Sequence, residues 1–167
     1  PEGARYLPTG MYRPKLDCEM RALGRPFCEV CREQYVLALY GGGWGTPSSG
    51  VDPIEPGSEV PPPGAASGTF PGKVDLAATL LPPTRGALSS RWSVDGRPIA
   101  GAAGGSFTFV PAGPGPYTVR LDVSDTTPFV HPAMAGTTLD TSRVWNVNVS
   151  PGGSGVSVAS IDPTSGP

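Results

Sequence analysis

Apolar and polar positions follow two different periods along the chain. Between about Arg25 and Tyr40, the positions Phe27, Val30, Cys31, Gln34, Val36, Leu37 and Tyr40 recur at helical spacing. They predict one helix with a mostly apolar stripe. Pro26 suits its first turn, where a missing N–H costs nothing, and Gly41 suits the residue just past its end. Upstream, Arg13-Pro14 favours extended backbone or a turn. A single stripe is not stable without a partner, and little in residues 1–24 offers one.

From residue 74 the period changes to two. Short β segments are expected at 74–80, 91–94, 107–110, 117–123 and 143–149, with turn residues between them. In the fourth, Tyr117, Val119, Leu121 and Val123 alternate with Thr118, Arg120 and Asp122. That alternation turns one face to a core and the other to water. In the fifth, Trp145, Val147 and Val149 alternate with Val144 and Asn146, less cleanly. Asp95-Gly96 after Val94 is a hairpin signal. About seven short strands in ~100 residues predict a mainly β chain: an immunoglobulin-like antiparallel β-sandwich, with an N-terminal arm carrying one α-helix and with flexible linkers. Trp92, Tyr117, Val119 and Leu121 are its expected core, and for Trp92 and Tyr117 packing outweighs an exposed aromatic platform for glycans.

Composition sets the boundaries. The 167 residues include 24 Gly and 22 Pro, against an average share of roughly 12% for the two together. They are unevenly placed. Residues 41–68 hold Gly41-Gly42-Gly43 and Pro61-Pro62-Pro63, and residues 151–167 are dominated by Gly, Ser and Pro. Such stretches bury too little apolar surface to offset chain entropy and are expected to be linkers. The expected order is an arm at 1–40, a linker at 41–68, a β module at 69–150, and a linker or the start of a further domain at 151–167. Opening at Pro1, with neither Met nor a signal peptide, is what a fragment or processed product would show.

Charge excludes some functions. The net charge is −2 and the pI near 5.3, with Lys and Arg spread thinly, which argues against nucleic-acid binding. No apolar run approaches the ~20 residues of a membrane span. His131 is the single histidine, so chemistry needing two imidazoles is beyond this chain alone. Asp122, Asp125 and Asp140 are a possible calcium set, although scattered turn aspartates are the commoner situation.

Three cysteines, Cys18, Cys28 and Cys31, complete the candidate chemistry. Cys28-x-x-Cys31 suits a redox motif or half a zinc site. A zinc site would need a fourth ligand and finds only His131, across the linker. A thioredoxin-like role wants a βαβ context that is absent. The favoured reading is a structural disulfide between Cys18 and one of the pair, in an oxidising compartment; the spacing does not choose between Cys28 and Cys31.

Gly10-Met11-Tyr12-Arg13-Pro14, Asp17-Cys18-Glu19-Met20-Arg21 and Pro26-Phe27-Cys28-Glu29-Val30-Cys31-Arg32-Glu33-Gln34 together resemble the end of the catalytic domain of IgA-peptidase-type zinc metallopeptidases. That family is secreted, bacterial and of the metzincin clan. The resemblance implies an extracellular protein, makes Met20 the Met-turn candidate, and makes the helix after Pro26 the closing helix of the domain. It also implies zinc, but in a parent catalytic domain upstream: this chain has no HExxH helix, so no catalytic residue and no cofactor is assigned to it. Trp92-Ser93-Val94-Asp95-Gly96 and Gly115-Pro116-Tyr117-Thr118-Val119 are similar to immunoglobulin-like or PKD-like domains appended to secreted enzymes. Residues 159–167 are similar to the opening of an IPT/TIG-type domain. The implied function is the non-catalytic C-terminal part of a secreted zinc metallopeptidase, inactive alone and partnered by its upstream catalytic domain. The alternative is a stand-alone extracellular immunoglobulin-like module for binding or adhesion, with a protein or cell-surface ligand.

Overall fold

The computed structural model describes residues 1–4, 7–41, 50–135 and 138–152. It is mainly β. A short hairpin, β1 (Glu2–Ala4) with β2 (Leu7–Tyr12), opens the arm and leads to helix α1 (Glu29–Tyr40). The remaining elements are β3 (Gly64–Phe70), β4 (Val74–Ala77), β5 (Leu88–Val94), β6 (Arg97–Pro98), β7 (Ser106–Phe109), β8 (Gly115–Asp125), one helical turn α2 (Pro132–Ala135), and β9 (Asp140–Pro151). Among the described residues, no helix is long and apolar enough to cross a membrane.

β8 and β9 are the frame. They pair antiparallel from Gly115↔Val149 to Ser124↔Asp140, and β5 pairs with the other edge of β8 from Leu88↔Asp125 to Val94↔Val119. The five-stranded order is β3-β9-β8-β5-β6, and β4-β7 forms a separate antiparallel pair. One pairing departs from an all-antiparallel sheet: β3 runs parallel to β9, from Gly64↔Trp145 to Phe70↔Pro151. Its sequence, Gly-Ala-Ala-Ser-Gly-Thr-Phe, has little strand propensity. The strand forms because β9 otherwise presents an unpaired edge, and because Gly68 lets the chain approach β4. A Cβ at Gly68 would lie 2.6 Å from Val74 Cγ2.

The core draws residues from both the pair and the larger sheet. Val74, Leu76 and Phe109 from β4 and β7 share it with Trp92, Val119, Leu121, Val123, Trp145, Val147 and Val149. Trp92 is stacked between Phe107, at 5.3 Å between ring centres, and Trp145, at 5.4 Å. Tyr117 is half-buried, meets Phe109 edge to face and donates its hydroxyl to the Gly113 carbonyl. Buried indoles need acceptors: Trp92 Nε1 donates to Gly104 O at 3.0 Å and Trp145 Nε1 to Pro61 O at 2.7 Å. Enclosure leaves Trp92 no face for a glycan. The β5–β6 hairpin turns at Asp95-Gly96, with φ of 49° and 75°, the paired left-handed conformation that Asp-Gly favours.

The stretch expected to be a linker is not one throughout. Ile54 is fully buried in the core, and isolated bridges join Ile54 to Leu80 and Val60 to Ala77. Arg143 of β9 donates to Asp52 at 2.6 Å and to Glu59, so two carboxylates of this segment are clamped to the sheet. Composition misleads here because Pro lacks a donor but keeps its acceptor; Pro53 and Pro61 carbonyls are both used. The tail resembling a further immunoglobulin-like domain lies, beyond Gly152, outside the described residues.

Helix α1 begins at Glu29 rather than Arg25, because Cys28 is extended, with φ −69° and ψ 167°. Its C-terminal end meets Gly41, whose N–H bonds Leu37 O at 2.8 Å. The helix finds its partners at the end of β8 and in the loop after it. Arg32 lies over the Phe129 ring at 5.4 Å, Glu33 accepts the His131 N–H at 2.7 Å, and Tyr40 donates to Asp125. Burial and the adjacent Asp125 carboxylate push the Tyr40 phenol above its ordinary range. These contacts are polar or peripheral, and no residue of α1 is buried.

Candidate functional site

The arm has a centre made of sulfur. Cys18 sits at the start of a turn whose carbonyl accepts from Arg21 N at 2.8 Å and Ala22 N at 3.1 Å. Cys28 is the residue that caps α1, and Cys31 lies in its first turn. The loop between them is braced by Glu19, which accepts the Arg25 N–H at 2.8 Å, and by Asp17 paired to Arg25 at 3.3 Å. As a result Cys28 Sγ is 3.3 Å and Cys18 Sγ 3.7 Å from Cys31 Sγ, and all three sulfurs lie within 4.8 Å of one another.

The disulfide expected between Cys18 and Cys28 or Cys31 is not formed; all three thiols are free. A bond requires sulfurs at ~2.05 Å, and Cys28 and Cys18 stand 3.3 Å and 3.7 Å from Cys31. His131 does not supply a fourth ligand: it lies outside the sulfur cluster, and its Nδ1 accepts the Ala133 N–H at 3.2 Å.

The cluster is electrostatically uneven. The Cys28 amide, 3.2 Å from Cys18 Sγ, and the Met20 amide donate to that sulfur and hold the Cys18 thiol below its ordinary pKa. Hydrogen bonds to the charged form favour it. Burial first, and then the two neighbouring sulfurs, push Cys31 up to about 12. Cys28 caps the helix without a side-chain hydrogen bond, so its sulfur is left to the cluster.

Met20 is 69% exposed. It is not a buried apolar residue, and its backbone N–H reaches Cys18. The catalytic zinc implied by the peptidase resemblance does not fit this chain's residues. Catalytic zinc takes three protein ligands, at least one of them an imidazole, with an open position, and the one imidazole, His131, is engaged at the start of α2 and lies outside the sulfur cluster.

The calcium set is not assembled either. Asp125 is buried against Tyr40, and its Oδ1 has no hydrogen-bond partner. Asp122 is paired with Arg120 at 2.6 Å. Asp122 and Asp140 instead line an open polar concavity of about 920 Å³ on β5, β8 and β9, together with Arg91, Arg120, Ser124 and Ser142.

The sequence brought Cys18 to one of the pair, as a disulfide, but did not bring all three sulfurs to one point. The signal available was the proximity of Cys28-x-x-Cys31 to a helix start; the fold of the Cys18 loop had no signature.

No protein-family model matches the chain, and no curated protein matches it significantly. Among solved structures, a quinoprotein alcohol dehydrogenase-like protein from Bacteroides thetaiotaomicron is similar over 57% of this chain and 19% of that chain. This chain therefore spans about a fifth of that protein's length. At 10% identity and a TM-score of 0.41, the likeness carries no argument about function.

Proposed function

We propose that this chain is the non-catalytic C-terminal part of a secreted zinc metallopeptidase of IgA-peptidase type. In this reading residues 1–40 are the last piece of the catalytic domain. The β3–β9 strands are an appended immunoglobulin-like sandwich, PKD-like in its motifs, whose two sheets enclose the Trp92 and Trp145 core. The observation that supports it is the arm's uncovered apolar surface. Tyr12, Leu16, Met20, Leu23, Val30 and Leu39 are all exposed, Leu23 at 91%. Large apolar side chains clustered on one short segment mark a surface that something covers, and an upstream catalytic domain holding the zinc is the partner that the motif resemblance names.

The test compares residues 1–167 with a longer chain carrying the natural upstream segment. The longer chain is expected to cleave protein substrates in a chelator-sensitive way, and its α1 amides to exchange more slowly than in residues 1–167. An upstream segment without an HExxH helix, or unchanged α1 exchange, overturns the reading. The alternative, a stand-alone extracellular binding module, is favoured by the polar concavity over β5, β8 and β9. It predicts that the ligand-binding activity survives deletion of residues 1–40.

A further inference from the structure

We propose that Cys18, Cys28 and Cys31 bind one thiophilic cation of the Zn²⁺ class through three thiolates, with a fourth position open to solvent beside Cys31, and that this ion is the structural core of the arm. The first support is geometric. Four sulfurs around zinc at ~2.3 Å stand about 3.8 Å apart along each tetrahedral edge, and the sulfur separations of 3.3 Å, 3.7 Å and at most 4.8 Å bracket that value. A disulfide needs two sulfurs and gives the third no reason to converge. A single ion at the centre of the triangle satisfies all three.

The second support is what the arm lacks. Among the described residues from Pro8 to Gly41, the only buried side chains are Cys18 and Cys28. Segments this short cannot build an adequate hydrophobic core and depend on a staple. Here the buried centre of the arm is thiol, so the staple has to act through sulfur.

The surroundings suit an anionic metal–thiolate group. The amides of Cys28 and Met20 point at Cys18 Sγ, the outer-sphere bonding that orients ligands in metal sites. The first turn of α1 contributes its positive end to Cys28 and Cys31. Cys31 is half-buried while Cys18 and Cys28 are enclosed, which places the open coordination position on the Cys31 side. The inference is independent of the peptidase reading, since no residue of a catalytic zinc site takes part.

The experiment uses the full 167-residue chain, freed of metal and reduced with a phosphine. Titration with Co²⁺ should give, at one ion per chain, the thiolate charge-transfer and intense visible bands of a tetrahedral cobalt–sulfur site. Zn²⁺ should bleach these bands on displacement, and far-ultraviolet circular dichroism should show α1 helicity gained on Zn²⁺ addition. Cys18→Ser, Cys28→Ser and Cys31→Ser should each weaken Zn²⁺ binding by on the order of 100-fold. Near-ultraviolet dichroism from Trp92 and Trp145 should be unchanged in every variant, which separates loss of the site from loss of the fold. Absence of the cobalt–sulfur bands, or Zn²⁺ affinity unchanged in Cys31→Ser, overturns the proposal. So does a reduced chain whose helicity ignores Zn²⁺.

Discussion

Replacing Arg143 with Ala should detach the 50–63 segment from the β module. Arg143 holds Asp52 and Glu59 at once, and Glu59 is only 7% exposed. Removing the guanidinium leaves a buried carboxylate without its counter-charge, a change that costs about 3–5 kcal/mol for a fully buried pair. Side-chain exposures of 17% for Arg143 and 27% for Asp52 admit solvent screening, so about 2–3 kcal/mol is expected. For a domain of ~100 residues that lowers Tm by roughly 10–20 °C. The assay is urea and thermal unfolding followed by tryptophan fluorescence, which reports on Trp145 where its indole meets Pro61 O. A cycle of Arg143→Ala, Glu59→Gln and the double variant should show a coupling of about 1–2 kcal/mol. The Arg143 hydrogen bond holds the Glu59 carboxyl below its ordinary value of 4.5. The pair's contribution is therefore complete above pH 4.5 and lost as pH falls through the lower folded-state value, and Glu59→Gln should lose that part of the acid sensitivity. A loss below ~0.5 kcal/mol, the level of an ordinary surface substitution, would refute the clamp, as would an acid response identical in Glu59→Gln.

Gly96→Ala should cost about 1–2 kcal/mol through backbone conformation alone, because φ is +75° and nothing stands within 4 Å of the added Cβ. Gly113→Ala, equally uncrowded and without a left-handed φ, should change unfolding by less than ~0.5 kcal/mol; equal effects at both sites would remove the turn argument. Gly105→Ala would set a Cβ 2.1 Å from the Ala78 carbonyl and should destabilise by about 1–3 kcal/mol, read as a lower urea midpoint with unchanged slope. Brief trypsin digestion of the metal-free chain should cut first in the arm, at exposed Lys15, Arg21 or Arg25, while residues 50–152 persist. Mass spectrometry finding early cuts inside 50–152 at equal rate would contradict the burial of Ile54 and Glu59.

Sequence alone determined the parts whose physics is local. Alternation in Tyr117–Val123 and Trp145–Val149 was enough to place β8 and β9, because a strand's two faces differ at every step. Asp95-Gly96 announced its turn, because few residue pairs tolerate two positive φ angles in succession. The helix ending at Tyr40 was visible from its stripe and from Gly41. Tertiary structure decided what depends on residues far apart in the chain. β3 exists by pairing with β9, eighty residues onward in register, and its own composition argues for a loop. Residues 50–63 are held by Ile54, Asp52 and Glu59, three anchors that an average over Gly and Pro content conceals. The cysteines show the division most sharply. Their number and the Cys28-x-x-Cys31 spacing were legible, but bringing Cys18 to the same point required the 17–28 loop to close through Glu19, Asp17 and Arg25. Periodicity records which face a residue turns to its neighbours in sequence; it carries no information about which distant segment completes the site.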